Sequence, residues 1–236
     1  MPTVILVRHG RTTANASGIL AGRTPGVDLD DVGTVQAQTA GERLAEVRID
    51  ELVTSPQTRC RQTASALATA NTASPKRLRV RTDKGVAECD YGDWQGRTLA
   101  ELTQEPLWKV VQTQPSAAAF PGGESMRAMQ DRGVAAIRSR DARLAAEVGD
   151  HAVCVVVSHG DLIKAILADA LGMHLDLFQR IHVDPASISV IRYTASRPYV
   201  LATNTISGSL AWVNPPPGKA GSTDAAVGGG AGPAHT

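Results

Sequence analysis

The chain has 236 residues, of which 42% are hydrophobic and 20% are charged, with a formal net charge of +1. This length suffices for one sizeable core or two small domains. The near-zero net charge and the aromatic content of 3% argue against nucleic acid or an anionic membrane surface as a partner. No apolar run is long enough to span a bilayer, and no secretion signal precedes the first strand-like segment, so we expect a cytoplasmic protein.

Six short runs of aliphatic and β-branched residues predict strands. They are residues 4–7, 51–54, 78–82, 153–157, 187–193 and 199–204. The run 153–157 is the most apolar in the chain and is the expected central strand. The last two runs alternate apolar and polar residues, which is typical of an antiparallel addition to a sheet.

Helices are predicted between these strands. They cover residues 31–44, 55 to about 70, about 124–148 and 162–171. Asp30 or Asp31 is the expected N-cap of the first helix, and Pro56 is expected in the first turn of the second. Strands that alternate with helices predict an α/β fold with a mostly parallel central sheet.

Two segments depart from this alternation. Residues 86–123 are rich in Gly, Pro and Trp and contain only short helical pieces, which indicates an inserted lid. From about Asn214 onward the chain is Pro, Gly, Ala and Ser with almost no bulky residue. Such a segment cannot bury enough apolar surface to offset the entropy lost on ordering. We therefore expect one folded domain over residues 1–213 and a disordered tail over residues 214–236.

The three cysteines are odd in number and widely spaced along the chain. Cys60, Cys89 and Cys154 match neither a disulfide framework nor a zinc-binding pattern. We therefore expect three free thiols, buried or half-buried.

Two predicted strands end in a histidine followed by a glycine: Val7-Arg8-His9-Gly10 and Val157-Ser158-His159-Gly160. Glycine lets the backbone turn sharply and lets a ligand approach closely. A single histidine is more often structural, but the ends of neighbouring parallel strands lie at one rim of a sheet, where α/β proteins bind ligands. We therefore expect both imidazoles at one site, beside Arg8.

This combination of residues suits phosphoryl transfer. A neutral imidazole is a competent nucleophile toward phosphorus, provided that its other nitrogen is held by a hydrogen-bond acceptor. Arg8 and Arg59 offer rigid cationic forks for the phosphate oxygens, and a protonated His159 would add a third cation. A carboxyl with a raised pKa would protonate the leaving group, and Glu88 is the candidate.

Four motifs occur in order and carry a family resemblance. They are Leu6-Val7-Arg8-His9-Gly10, then Ser55-Pro56-Gln57-Thr58-Arg59-Cys60-Arg61-Gln62-Thr63-Ala64, then Glu88-Cys89-Asp90-Tyr91-Gly92-Asp93-Trp94-Gln95-Gly96, and Ser158-His159-Gly160. Over about residues 3 to 205 the chain resembles the histidine phosphatase superfamily, also called the phosphoglycerate-mutase-like family. Within it, the glycine-rich loop 18–33 and Pro121-Gly122-Gly123-Glu124-Ser125 are similar to the short bacterial phosphatase branch.

The resemblance implies the roles of the site residues. His9 would become phosphorylated, Arg8, Arg59 and His159 would form the phosphate pocket together with Gly160, and Glu88 would donate the proton. Asn15 would line the phosphate site. The resemblance also implies a three-layer α/β/α sandwich with residues 1–213 as its catalytic domain, no required metal or other cofactor, and a small phosphorylated metabolite as the partner. An exposed edge strand would allow a homodimer.

Several local alternatives stay open at the level of sequence. Asp90 and Asp93 compete with Glu88 for the role of acid, and Asn15 could merely cap its own loop. Arg11 stands where the family often has Glu or Gln, and it either widens the positive field at the site or is simply solvated.

Three functions compete. The leading hypothesis is a phosphatase that hydrolyses small phosphate monoesters through phosphohistidine at His9. The first alternative is a phosphomutase that returns the phosphoryl group to another oxygen of the substrate, as in phosphoglycerate mutases. In those enzymes a basic residue commonly follows the acid, whereas Cys89 and Asp90 follow Glu88 here. The second alternative is a non-catalytic protein that binds a phosphorylated ligand.

Overall fold

A computed structural model describes residues 2–214. The predicted disordered tail, residues 214–236, lies outside the described residues apart from Asn214. Six strands form one sheet in the order β3-β2-β4-β1-β5-β6. They are β1 (Thr3–Arg8), β2 (Glu51–Thr54), β3 (Val80–Thr82), β4 (Val153–Ser158), β5 (Ile188–Tyr193) and β6 (Pro198–Thr205).

Strands β1 to β4 pair in parallel, whereas β5 and β6 are added antiparallel beside β1. The predicted mostly parallel sheet with an antiparallel addition is therefore confirmed, and the apolar run 153–157 does lie inside the sheet. The two edges are β3 and β6. Edge strands are thus present, and the homodimer that they would allow stays a prediction.

Helices cover both faces of the sheet. They are α1 (Thr13–Ala16), α2 (Asp31–Arg43), α3 (Thr58–Ala70), α4 (Leu99–Leu102), α5 (Pro106–Thr113), α6 (Met126–Glu147) and α7 (Gly160–Ala170). Successive residues of a strand point to opposite faces. Val4 and Leu6 accordingly enter a core shared with α6 and α7, whereas Ile5 and Val7 enter a core shared with α2 and α3. This is the expected three-layer α/β/α sandwich.

The predicted lid packs into the first of these two cores. Its pieces include the 3₁₀ turns Gly92–Trp94 and Pro115–Ala117 as well as α4 and α5, and it follows the 3₁₀ turn Lys84–Val86. Trp94 is 3% exposed and stacks on Trp108 with ring centroids 6.2 Å apart, so both tryptophans serve packing. The segment is continuous with the domain core through its buried side chains; whether it covers a substrate stays a prediction.

The start of α3 differs from the prediction. The helix begins at Thr58 with Gln57 as its N-cap, so Pro56 precedes the helix and does not lie in its first turn. The backbone N–H of Ser55 still donates to Val157 O at 2.9 Å, which prolongs the pairing of β2 with β4. Because proline holds the residue before it in an extended conformation, the chain can turn into the helix only after Pro56.

The register of β1 and β4 positions the site. Val7 pairs with Val157 and Arg8 with Ser158, so both strands end at the same level. The N–H of His9 donates to Ser158 O at 2.9 Å, which places the two histidine-glycine turns side by side. No helix within residues 2–214 combines the length and the apolar character that crossing a membrane requires.

Candidate active site

The turn after β1 is held by hydrogen bonds from distant parts of the chain. The carbonyl of His9 accepts from the N–H of Ala186 at 3.1 Å, and the N–H of Gly10 donates to Thr63 Oγ1 at 3.1 Å. A Cβ on Gly10 would lie 2.3 Å from the carbonyl oxygen of Gly33. Gly10 is therefore required by the close approach of α2, which the sequence did not reveal.

The hydrogen bonds of His9 determine which of its nitrogens carries a proton. Nδ1 lies 2.7 Å from the carbonyl oxygen of Gly10, which can only accept, so Nδ1 carries the proton. Nε2 then has the lone pair and accepts from Arg59 Nε at 3.2 Å. Burial lowers the pKa of His9 well below its usual range, and Arg59 and Arg8 lower it further. The imidazole is neutral at neutral pH and can act as a nucleophile.

Two arginines bring positive charge to His9. Arg59 is 2% exposed; its Nη2 donates to Gly22 O at 2.7 Å, and no hydrogen-bond partner for its Nη1 is present among residues 2–214. Arg8 donates through Nη1 to Val183 O at 2.7 Å, and its buried Nε likewise has no partner within the described chain. Buried polar groups are nearly always hydrogen-bonded, so these two donors are suited to an anionic oxygen.

His159 lies beside His9, with the ring centroids 5.2 Å apart. It is fully buried, and its Nδ1 lies 3.2 Å from Arg59 Nη2 and 3.4 Å from Glu88 Oε2. Burial lowers the pKa of His159 well below its usual range, with Arg59 and His9 as further causes. The third cation expected from a protonated His159 is therefore absent at neutral pH, and the positive charge comes from the arginines.

Glu88 lies 3.4 Å from His159 and 4.0 Å from Arg59, and its role as proton donor stays a prediction. It is 9% exposed, and burial raises its pKa to about 7, against the opposing effect of Arg59. The N–H of Cys89 donates to Oε1 at 2.9 Å. Its backbone carbonyl accepts from Arg23 Nε at 2.8 Å and from Arg132 Nη2 at 2.9 Å, so the residue is held from both sides.

The two other candidate carboxyls, Asp90 and Asp93, lie in different surroundings from Glu88. Asp90 forms an ion pair with Arg23 at 3.2 Å and accepts from the N–H of Gly92 at 3.2 Å. Asp93 is exposed to solvent. Of the three candidates, only Glu88 is buried and in contact with His159 and Arg59.

The structure also places Asn15, Gly160 and Arg11, which the sequence analysis singled out. Asn15 is exposed, and its Oδ1 accepts from the N–H and the hydroxyl of Thr12 at 3.1 Å and 2.9 Å, which caps α1. A contact of Asn15 with phosphate stays a prediction. Gly160 begins α7, where a Cβ would lie 3.4 Å from Arg8 Nε, so glycine leaves room beside that donor. Arg11 forms an ion pair with Asp30 at 2.7 Å and is therefore not a free surface charge.

Several residues around the site escaped the sequence reasoning. Ser55 and Gln57 contact Nε2 of His159, and Cys60 lies against the same ring. All three cysteines are free and buried, as expected. Ser55, Gln57 and Thr63 belong to the motif that runs from Ser55 to Ala64, and polar residues around a helix start were the available signal. Within residues 2–214, no group of three or more His, Cys, Asp or Glu side chains is arranged to hold a metal ion.

Comparisons with known proteins give matches over most of the chain. The family model described as the histidine phosphatase superfamily (branch 1) matches residues 4–206. The chain is 32% identical over 199 residues to a probable phosphoglycerate mutase of Proteus mirabilis, covering 83% of this chain and 87% of that one. It is 31% identical over 191 residues to an acid phosphatase of Mycobacterium tuberculosis, with coverage of 79% and 84%. A solved mycobacterial glucosyl-3-phosphoglycerate phosphatase with VO3 superposes with a TM-score of 0.74 at 26% identity, covering 86% of this chain and 98% of that one.

Proposed function

Because the chain belongs to the histidine phosphatase superfamily (branch 1), we propose that it is a phosphatase that hydrolyses small phosphate monoesters through a phosphohistidine intermediate at His9. An acid phosphatase among its relatives supports an enzyme over a non-catalytic binding protein. The single observation that carries the proposal is the state of His9. Its Nδ1 proton is held by Gly10 O, its pKa is lowered, and its unprotonated Nε2 faces the guanidinium of Arg59.

The proposed reaction has two steps. In the first, His9 Nε2 attacks phosphorus while Arg8 and Arg59 neutralise the phosphate oxygens. The bond to the leaving oxygen breaks, and the carboxyl proton of Glu88 passes to that oxygen. In the second, water attacks the phosphohistidine, Glu88 takes up a proton from the water, and phosphate leaves with His9 restored.

Local charge supports a phosphatase over a phosphoglycerate mutase. A mutase for a phosphorylated acid needs a free cation near the proton donor to hold the carboxylate of its substrate. Arg23 is committed to the carboxylates of Asp90 and Glu124 and to Glu88 O, and Arg132 binds Glu124 at 2.6 Å. Cys89, which follows Glu88, is fully buried. Neither nearby arginine is therefore available for a second anionic group.

The nucleophile is tested by His9→Ala. We expect hydrolysis of an aryl phosphate in EDTA to fall by more than about 10⁴-fold, since removal of a nucleophile abolishes the covalent path. His151→Ala is the matched control, because His151 is exposed and outside the site. Mass spectrometry of alkaline-quenched wild type should find phosphate on the peptide that carries His9. Unchanged activity of His9→Ala would falsify the mechanism.

The choice between phosphatase and mutase is tested with 3-phosphoglycerate and its bisphosphate primer. We expect slow release of phosphate or no turnover. Rapid formation of 2-phosphoglycerate would replace the phosphatase proposal with the mutase. If folded wild type binds phosphate monoesters but turns over none of a broad panel, the non-catalytic alternative holds instead.

A further inference from the structure

Asn204 lies in a β-bulge of the edge strand β6. Ile188 pairs with Thr205 and Val190 pairs with Ala202. Two steps along β5 thus match three steps along β6, which leaves an extra residue on β6. Asn204 has a φ of 51°, a left-handed conformation that asparagine tolerates better than most residues. Bulges often lie beside active sites, where they redirect a side chain, so the contacts of Asn204 indicate what this bulge does.

The side-chain amide of Asn204 makes two hydrogen bonds to Asp184. Oδ1 accepts from the backbone N–H of Asp184 at 2.6 Å, and Nδ2 donates to Asp184 Oδ2 at 2.8 Å. A backbone N–H can only donate and an ionised carboxylate can only accept, so the amide fits in this orientation alone. The backbone N–H of Asn204 donates to the buried Ser189 Oγ at 3.1 Å. Asn204 is therefore fixed through both its backbone and its side chain.

One planar peptide group connects Asn204 to Arg8. The N–H of Asp184 and the carbonyl of Val183 belong to the same peptide unit, whose atoms lie in one plane. Asn204 Oδ1 accepts from the N–H at one end, and the carbonyl at the other end accepts from Arg8 Nη1 at 2.7 Å. Because the unit is rigid, a hydrogen bond that fixes the N–H also fixes the direction of the carbonyl. Hydrogen bonds in such a chain also polarise one another.

The same segment holds the end of β1. The N–H of Ala186 donates to His9 O at 3.1 Å, and Ser187 O accepts from the N–H of Arg8 at 3.1 Å. Ala186 has a φ of 57°, and within residues 2–214 it and Asn204 are the two non-glycine residues with a positive φ. Such conformations cost free energy and persist where the surrounding structure enforces them, which is common at functional sites. The segment from Val183 to Ser187 is therefore constrained where it contacts the site.

We propose that Asn204 is a positioning residue for Arg8: through the peptide between Val183 and Asp184 it orients the guanidinium and leaves the buried Nε available to a phosphate oxygen. That Nε has no hydrogen-bond partner within the described chain. The inference rests on the proposed function, because Arg8 is one of the two arginines that neutralise the phosphate in that reaction. Asn204 itself contacts neither the phosphate nor His9; it acts only through the peptide.

The carboxylate of Asp184 has a different task from its backbone. Oδ2 accepts from Asn204 Nδ2, and Oδ1 lies 2.9 Å from Nε2 of the exposed His182. The carboxylate thus fixes the orientation of the Asn204 amide, whereas the backbone N–H of Asp184 carries the connection to Arg8. Loss of the Asn204 amide should therefore affect Arg8 more than loss of the charge on Asp184.

The effect on Arg8 can be measured without a substrate. In ¹⁵N NMR of arginine-labelled protein, with Arg8 assigned by the signals that Arg8→Lys removes, wild type should show separate Nη signals, because the bond to Val183 O hinders rotation of the guanidinium. Asn204→Gly removes the amide, and glycine adopts the same φ without strain. In this variant the Nη signals of Arg8 should merge. Unchanged signals in folded Asn204→Gly overturn the inference, whether or not the protein is a phosphatase.

A double-mutant cycle tests whether Asn204 acts through Arg8. Asn204→Gly should lower both kcat/KM for p-nitrophenyl phosphate and the calorimetric affinity for inorganic phosphate roughly five- to tenfold, the loss expected for one hydrogen bond. In the Arg8→Ala background the same substitution should change kcat/KM less than about twofold, because no guanidinium is left to orient. Thr203→Ala is the matched control and should stay near wild type, since Thr203 is the exposed neighbour of Asn204.

A second set of variants applies if Asn204→Gly does not fold. Asn204→Asp keeps an acceptor for the N–H of residue 184 but sets two carboxylates against each other, so kcat/KM should fall. Adding Asp184→Asn restores one amide and one carboxylate with their positions exchanged, and most of the loss should be recovered. No recovery in a folded double variant overturns the inference.

The outcomes separate the two proposals. Equal losses from Asn204→Gly with and without Arg8 mean that Asn204 only stabilises the pairing of β5 with β6, and this result overturns the inference. Wild-type kinetics and phosphate affinity in folded Asn204→Gly also overturn it. If wild type binds phosphate but turns over no ester, the proposed function fails, and the Nη signals of Arg8 then still decide the inference.

Discussion

The turns that follow β1 and β4 have the same histidine-glycine sequence, but the two histidines expose opposite nitrogens to the site. His9 donates through Nδ1 to Gly10 O at 2.7 Å and turns Nε2 toward Arg59. His159 has Nε2 at 2.7 Å from Ser55 Oγ and turns Nδ1 toward Arg59 and Glu88. The hydrogen-bond partner of the second nitrogen, rather than the residue type, therefore determines what each imidazole can do.

The two histidines agree in charge. Burial is the largest cause that lowers the pKa of each, and Arg59 is the second. A neutral state suits a nucleophile at His9 and a hydrogen-bond acceptor at His159. Arg59 contacts both rings, so it couples two otherwise different environments.

Among the substitutions that change the surroundings of these two histidines, removal of Arg59 should cause the largest loss of activity, because Arg59 contacts both rings. Arg59→Ala takes away a donor to both histidines and one cationic partner of the phosphate, so we expect kcat/KM to fall by about 100- to 1000-fold on aryl phosphates. Arg61→Ala, on the same helix but exposed, is the matched control and should stay near wild type. The pocket assignment fails if both variants lose activity equally in folded protein.

The effect of replacing Glu88 should depend on the leaving group of the substrate. Glu88→Gln should slow alkyl phosphates by about 100-fold or more and aryl phosphates by less than about tenfold, because only a poor leaving group needs the proton. Asp93→Asn, an exposed carboxyl of the same segment, serves as the control. An equal loss on both ester classes would assign the acid to another residue.

A smaller effect is expected in the pH dependence of stability. The pKa of Glu88 is raised from 4.5 to about 7 in the folded protein, so between these values the unfolded chain ionises while the folded chain keeps its proton. Stability contributed by this group is full below pH 4.5 and is lost at up to roughly 1.4 kcal/mol per pH unit as pH rises to 7. Relative to Glu88→Gln, wild type should therefore lose unfolding free energy over this window in urea titrations. Parallel curves for the two proteins would contradict a buried, protonated Glu88.

The success of the sequence reasoning depended on how local each signal was. The strand runs and their polar ends were predicted from alternation and apolar runs, and the shared register of β1 and β4 brought both histidines to one rim. The helix start at Pro56 was wrong, because the pairing of Ser55 with Val157 is a contact across about a hundred residues. The contact of Asn15 with phosphate stays a prediction, because the structure shows its Oδ1 capping α1 through the N–H and hydroxyl of Thr12.

By itself, the sequence determined the layered α/β architecture, the two histidines at strand ends, the two arginines and the acidic candidate Glu88, since periodicity, turn residues and motif order are encoded in neighbouring positions. Only the tertiary structure decided the neutral state of His159, the hydrogen-bond partners of each ring, and the burial of Glu88, rather than Asp90 or Asp93, beside His159 and Arg59. Protonation depends on burial and on donors brought from distant segments, and these exist only once the chain is packed.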